Sequence, residues 1–566
     1  MRLSCLALLW IVRRGATGDA TNCPQSADGH VRHASLLQVS HQSIATSDVG
    51  NPLDPETTAA DFEVSSLRRG LSTRAEIFTR KNQTALETAN QGLVLMPLAA
   101  SLPSILVYVA TESDMLQTLT FCSQNRLRPV LVATGHDYNG RSSGPGAVRI
   151  ATPRLCWVHV NPEAQEAKVG AGCKWGRIWK ELEPFGFIAV AGALPTVSIA
   201  GSLQGGGHGG LSRQHGLIAD QLLAARVALA NGSSVVVADA AGPHADLLRA
   251  LRGGGGGTFG AVVEFTIRIH PIPQLYMLSD LSLPLENDST GTRPGFDATR
   301  RFFHNASWWA QVPASWAGWH QVVSTGKDAY LGAYLYHWGS DPAQACLSEV
   351  SCPPALVEYF HFIHSWPVPL SLSVQIQSYD EDHETLLAGA GQRSFMSNSF
   401  VSLTDLESKA ESLTDLVMSS TLEAAQRGLP LSWTYNDVLG ANIPSYDPEL
   451  QNTAVSGGFR NAIFEACVGV GWNDAQEDEE RITHVMPIVE KLYALGLGVN
   501  TSYYNEVVRW RQPSSGQILN EITDWKQRFW GEDTYQFLRQ VKTKYDPCNL
   551  LWVDRGVGCD EDKMIC

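Results

Sequence analysis

The sequence predicts an α+β fold, and three observations carry that expectation. A strand–helix–strand succession occupies residues 105–133, an alternating strand occupies 261–270, and an aromatic-rich region with its own long helices and an apolar strand follows residue 276. Ile105 to Ala110 reads as a strand. Glu112 to Leu127 reads as an amphipathic helix with Met115, Leu116, Leu119 and Cys122 on one face, and Pro129 to Ala133 returns as a strand.

Ala167 to Gly172 then reads as a strand, Trp175 to Phe185 as a helix and Pro243 to Arg252 as another. Asn231-Gly232, between two apolar runs, predicts a type I′ hairpin, because both turn positions need positive φ. From Ala261 to His270 apolar Val263, Phe265, Ile267 and Ile269 alternate with polar neighbours, the pattern of a half-buried antiparallel strand. Pro271 and Pro273 end that region. Beyond it, Leu403 to Arg427 and Glu477 to Gly496 read as helices and Asn461 to Trp472 as a strand. Residues 21–94 lack a sustained apolar period and are expected to be a pro-segment or poorly ordered arm.

Three glycine-rich turns mark the chemistry: Thr134-Gly-His-Asp-Tyr-Asn-Gly-Arg-Ser-Ser-Gly144, Gly205-Gly-Gly-His-Gly-Gly210 and Arg252-Gly-Gly-Gly-Gly-Gly-Thr-Phe-Gly260. Residues without a Cβ let backbone N–H groups close on a pyrophosphate, so the turns point to a dinucleotide. Gly205, Gly207 and Gly210 satisfy G-x-G-x-x-G by spacing, yet Leu211 to Gly216 interrupts any helix after one turn. The nearest acid, Asp220, comes too early to serve a ribose, so a nicotinamide-binding Rossmann site is disfavoured.

These turns, with Tyr503-Tyr-Asn-Glu506 and Tyr545-Asp-Pro547, resemble the berberine-bridge-enzyme-like oxidoreductases of the vanillyl-alcohol-oxidase-type (PCMH) FAD-binding superfamily. The resemblance implies a PCMH-type FAD-binding domain of two α/β subdomains over 95–275, completed by a C-terminal segment at 500–566. It also implies a substrate domain at 276–499, with an antiparallel sheet over the flavin and helices behind it. It assigns the flavin 8α bond to His136, and the cofactor surroundings to Thr134, Gly135, Asp137, Ser142, Thr196, Val197, Gly201, Ser202, Gly207, Gly209, Val262 and Asn505. Leu194 stands where many relatives carry a second linking cysteine, so a single covalent link to FAD is expected. Val132-Ala133 also departs from the arginine that often precedes the Gly-His pair.

Hydride transfer to a flavin needs a base for the substrate proton. The resemblance places Tyr503 and Tyr138 beside the ring and His208 on its substrate side. Tyr503, preferred for its Tyr-x-Asn context, competes for the base role with Glu465, whose apolar strand leaves open either an active-site carboxylate or a glutamate on the outer face of a sheet. No partner for a metal at His208 is evident from spacing. The expected activity is oxidation of an alcohol, sugar or phenolic natural product. By the resemblance, Val197 stands at the family's dioxygen-admitting position and favours an oxidase over a dehydrogenase; a flavin-carrying protein without turnover is the alternative from another class.

A net charge of −15 with no basic cluster argues against a nucleic-acid partner. The apolar run Leu3 to Val12 is of signal-peptide length, and no later window is long enough to span a membrane. With eleven cysteines, ten after loss of Cys5, and sequons at Asn82, Asn231, Asn287, Asn305 and Asn500, the expectation is a secreted or vesicular glycoprotein, processed within residues 1–20 and monomeric. The short-spaced pairs Cys346 with Cys352 and Cys559 with Cys566 do not make a zinc site.

Overall fold

The computed structural model describes residues 64–91, 102–287, 291–305, 312–339, 393–437, 452–497, 502–507 and 524–559, apart from a few single positions, together with short pieces between them. The expected signal segment at residues 1–20, Asn500, Cys346 and Cys566 lie outside the described residues.

The chain enters the fold earlier than its composition implies. Within the stretch expected to be an arm, residues 64–91 form α1 (Ser65–Gly70), β1 (Glu76–Thr79) and α2 (Gln83–Gln91), and β1 pairs antiparallel with β2 (Ile105–Tyr108). The Asp114 carboxylate fixes this start. It accepts from Ser72 N and Ser72 Oγ while closing a capping box with Thr111 at the head of α3 (Glu112–Gln124). β3 (Pro129–Val132) does not neighbour β2. β4 (Val148–Ala151), which the sequence does not announce, lies between them and pairs parallel to both, giving the order β1-β2-β4-β3.

A second sheet is wholly antiparallel. It comprises β5 (Val158–Asn161), β6 (Glu166–Gly170), and, after α4 (Trp175–Leu182), a short β7 (Phe187–Ile188), α5 (Ile199–Gln204) and α6 (Ser212–His215), the hairpin β8 (Leu222–Ala228) and β9 (Val235–Asp239). Following α7 (Ala245–Leu251), β10 (Ala261–Arg268) lies between β6 and β8, burying its alternate residues as the pattern requires. The β8–β9 turn corrects the type I′ expectation. Gly232 has φ 71°, but Asn231 is not in the left-handed region, and Asn231 Oδ1 accepts from Ser233 N inside a wider loop closed by Leu229 N to Ser234 O.

Past β11 (His270–Pro271), which pairs with β7, the chain builds a seven-stranded antiparallel sheet. β12 (Leu275–Pro284), α8 (Pro294–His304), β13 (Trp316–Thr325), β14 (Ala329–Gly339), β15 (Val368–Leu370), β16 (Arg393–Ser402), α9 (Leu403–Gln426), β17 (Pro430–Asp437), α10 (Gly457–Asn461), β18 (Ala462–Trp472) and α11 (Asp478–Ala494) follow in order. The spatial order is β15-β12-β14-β13-β17-β18-β16. One face packs against α8, α9 and α11 in a single apolar core that includes Phe303, Trp316, Leu413, Trp433, Phe464 and Val489. That leaves the opposite face of the central strands for a site.

The C-terminal α12 (Trp525–Phe529) and α13 (Glu532–Tyr545) return to the second sheet. Buried Lys542 donates to Asp546 (2.6 Å) and to the carbonyls of Thr258 and Leu551. Asp546 in turn accepts from Leu550 N and Leu551 N. Tyr545 OH donates to Asp246. The Tyr-Asp-Pro motif is thus a lock between the tail and the third glycine turn.

Candidate active site

The glycine turns, the end of β3, the Tyr503 segment and the seven-stranded sheet enclose a cavity of about 320 Å³. Gly135 (φ 86°) and Gly207 (φ 67°) hold backbone conformations that a Cβ would strain. At Gly209 a Cβ would sit 1.8 Å from the Ala191 carbonyl oxygen, whereas at Gly201 it would meet nothing within 4 Å, so that backbone faces open space in the cavity wall.

Thr134, Gly135, His136, Asp137, Tyr138, Ser142, Val197, Gly201, Ser202, Gly207, His208, Gly209, Val262, Tyr503 and Asn505 line this cavity. Thr196 is corrected from wall to support: it is fully buried behind the surface, with Oγ1 3.1 Å from His136 Nε2. Burial, and secondarily the Lys174 charge, push the His136 imidazole down to about 4, so the ring is neutral at neutral pH.

Glu465, on β18, has no exposed surface, which corrects the reading of a glutamate on an outer sheet face. It is not on the cavity wall. Its Oε2 lies 3.1 Å from Nε2 of His208, which is. The expectation that His208 lacks a carboxylate partner is corrected with it, because ligand atoms of His208, Glu465 and Glu506 all lie within 4.8 Å of one another. The His208 ring also meets Phe459 and Tyr503 edge-on, at 5.9 and 5.4 Å between centroids.

Tyr503 is buried in the cavity wall. Burial first, then the Glu506 charge, push its hydroxyl well above the ordinary tyrosine value, against the lesser effect of a hydrogen bond from Asn505. Asn505 Nδ2 donates to Tyr503 Oη at 2.9 Å, and a Cβ on Gly205 would collide with the Asn505 amide.

The region 103–238 matches the family model of an FAD binding domain, and 502–558 matches that of berberine and berberine-like proteins. FAD-linked oxidoreductase ZEB1 of Gibberella zeae is 28% identical over 82% of this chain and 78% of its own. VAO-type flavoprotein oxidase VAO615 of Thermothelomyces thermophilus is 25% identical over 81% and 76%. The BBE-like 1 structure of Physcomitrella patens superposes with a TM-score of 0.71 at 18% identity, over 88% of this chain and 98% of that one. The chain carries the FAD binding and berberine-like domains of an FAD-linked oxidoreductase.

The residues present fit FAD. Arg141 Nη2, Ser142 Oγ and Tyr504 Oη are buried on the cavity wall without a hydrogen-bond partner among the described residues, and they supply donors where glycine turns open the backbone. Arg141 and Glu506 of the oxidoreductase were not singled out in sequence, although both stand inside motifs that were, Glu506 three residues after Tyr503. Gln321, Trp319 and Thr434, contributed by β13 and β17, had no local signal at all. Among the described residues no helix is long and apolar enough to cross a membrane.

Proposed function

We propose that the enzyme oxidises the hydroxyl of a small alcohol, sugar or phenolic natural product, with His208 taking the hydroxyl proton while hydride leaves the carbon. The observation that carries this is the His208–Glu465 contact at 3.1 Å, with the histidine on the cavity wall and the carboxylate fully buried behind it. A carboxylate accepting from Nε2–H fixes the tautomer that leaves the Nδ1 lone pair for a proton, and it stabilises the imidazolium that results. Glu465 is then a positioning residue. Tyr503, kept neutral, orients the reacting oxygen by hydrogen bonding.

Bound FAD supplies the two-electron acceptor. His136 is its single covalent anchor: with Nε2 next to Thr196, Nδ1 is the nitrogen left for the bond, and a neutral imidazole is the nucleophilic form. Leu194 lines the cavity and offers no second link.

Dioxygen is the proposed acceptor, on the strength of Val197 at the cavity wall and of a relative named as an oxidase. Secretion is proposed because Asn82, Asn231, Asn287 and Asn305 are all exposed and Cys156 is disulfide-bonded to Cys173. Screening purified yellow protein for peroxide against a panel of alcohols, sugars and phenols tests the activity. Reduction of the flavin without reoxidation in air would replace the oxidase with a dehydrogenase.

A further inference from the structure

The roof of the cavity holds polar groups that the proposed chemistry does not use. Gln321 on β13 and Thr434 on β17 stand directly opposite each other in the sheet, line the cavity, and are 1% and 2% exposed. Neither Gln321 Nε2, Gln321 Oε1 nor Thr434 Oγ1 has a hydrogen-bond partner among the described residues. Burying an amide and a hydroxyl unpaired is costly, and apolar side chains of the same shape would fill the strands without that cost. The pair offers donors and acceptors together, which a hydroxyl satisfies in both senses.

Its place in the sheet relates it to the reacting centre. Thr434 opposes Cys467 on β18, so Glu465, two residues back on the same face, is its diagonal neighbour at roughly 7–8 Å between Cα positions. Gln321 lies one strand further away, about 4.8 Å. Glu465 reaches His208, so a substrate whose reacting hydroxyl is at His208 presents a second group to Gln321 and Thr434 a few bonds along its skeleton.

We infer that Gln321 and Thr434 form a second polar subsite that takes a non-reacting hydroxyl of the substrate, making the enzyme selective for polyols and sugars over mono-alcohols. The inference rests on the oxidation proposed above and narrows its substrate class.

The test uses the full-length holoenzyme with xylitol, D-glucose and cellobiose against 1-pentanol, cyclohexanol and benzyl alcohol. Anaerobic flavin reduction and perturbation of the flavin spectrum are both read. The wild type should favour the polyhydroxylated probes by on the order of 100-fold or more, since a site built to bond a hydroxyl rejects analogues without one. Gln321→Leu and Thr434→Val should each lower kcat/KM for those probes by about tenfold or more. The loss on the mono-alcohols should be much smaller than on the polyhydroxylated probes, Thr434→Ser should retain the preference, and the melting temperature of both apolar variants should rise. If no probe reduces the flavin but the polyhydroxylated ones perturb its spectrum in the wild type and not in the variants, the oxidation reading fails and the subsite stands. Equal use of mono-alcohols by the wild type, an equal loss on both classes in the variants, or no response to any polyhydroxylated probe overturns the subsite.

Discussion

The guanidinium of Arg141 lies 3.8 Å over the ring of Tyr504, and its Nη1 donates to the Tyr504 carbonyl at 3.1 Å. The same group pairs with Asp137 at 3.1 Å, and its Nε donates to the Asp554 carbonyl at 3.2 Å. One buried cation therefore staples the loop that carries His136 to both ends of the C-terminal segment. Removing one member of a buried pair strands the other, at a cost of about 3–5 kcal/mol. Arg141→Met should lose about that much in denaturant unfolding and hold FAD less firmly. A loss below about 1 kcal/mol would mean that the staple contributes nothing beyond an ordinary surface pair.

Local pattern and tertiary pairing divide what the sequence discloses. The alternation in β10 and the period of α9 are local, and each reads correctly because one face of the element meets the core. β1 and β4 escape because four residues give no period, and their partners lie on other stretches of chain. The site divides in the same way. His136, His208 and Asn505 sit in motifs, whereas the His208–Glu465 contact joins a glycine loop to a strand of the other sheet. Gln321 and Thr434 become a pair only through the β13–β17 register.

Covalent attachment is tested without turnover. Acid-precipitated wild-type protein should keep its flavin absorbance in the pellet, and His136→Ala should release it to the supernatant. Thr196→Val should slow attachment, because the hydroxyl that occupies His136 Nε2 is gone. Free flavin from the wild type would rule out the link.

Three histidines outside the cavity make stability depend on acid. Burial pushes His215 down to about 4 and His270 and His320 to about 3, with the His215 and Arg268 charges adding to the shift of His270. His215 and His270 stack at 3.8 Å between ring centroids. Each folded value is below the unfolded one of about 6.5, so the unfolded chain binds more protons between the two. Their contribution is full above about pH 6.5 and is lost as the pH falls toward 4. Each group adds a slope of about 1.4 kcal/mol per pH unit while it alone titrates. Denaturant midpoints at pH 7, 6, 5 and 4 should fall accordingly, and His270→Gln, which cannot take up the proton, should flatten the fall.

The proton-transfer assignment separates His208 and Tyr503 on the cavity wall from Glu465 behind it. Anaerobic flavin reduction should slow by about 10²–10⁴-fold in His208→Ala, the usual worth of a general base. Added imidazole should restore part of the rate, because the space left is the shape of the missing ring. Glu465→Gln keeps an oxygen for Nε2–H but removes the charge that stabilises the imidazolium, so its loss should be smaller, with Glu465→Asp smaller still. Tyr503→Phe removes one hydroxyl that burial already holds neutral, and its rate should fall by less than about tenfold while Asn505 and the ring packing keep FAD in place. A loss in Tyr503→Phe that exceeds the one in His208→Ala would return the base to the tyrosine. It would then show that substrate or cofactor lowers the hydroxyl against the burial and the Glu506 charge that otherwise raise it.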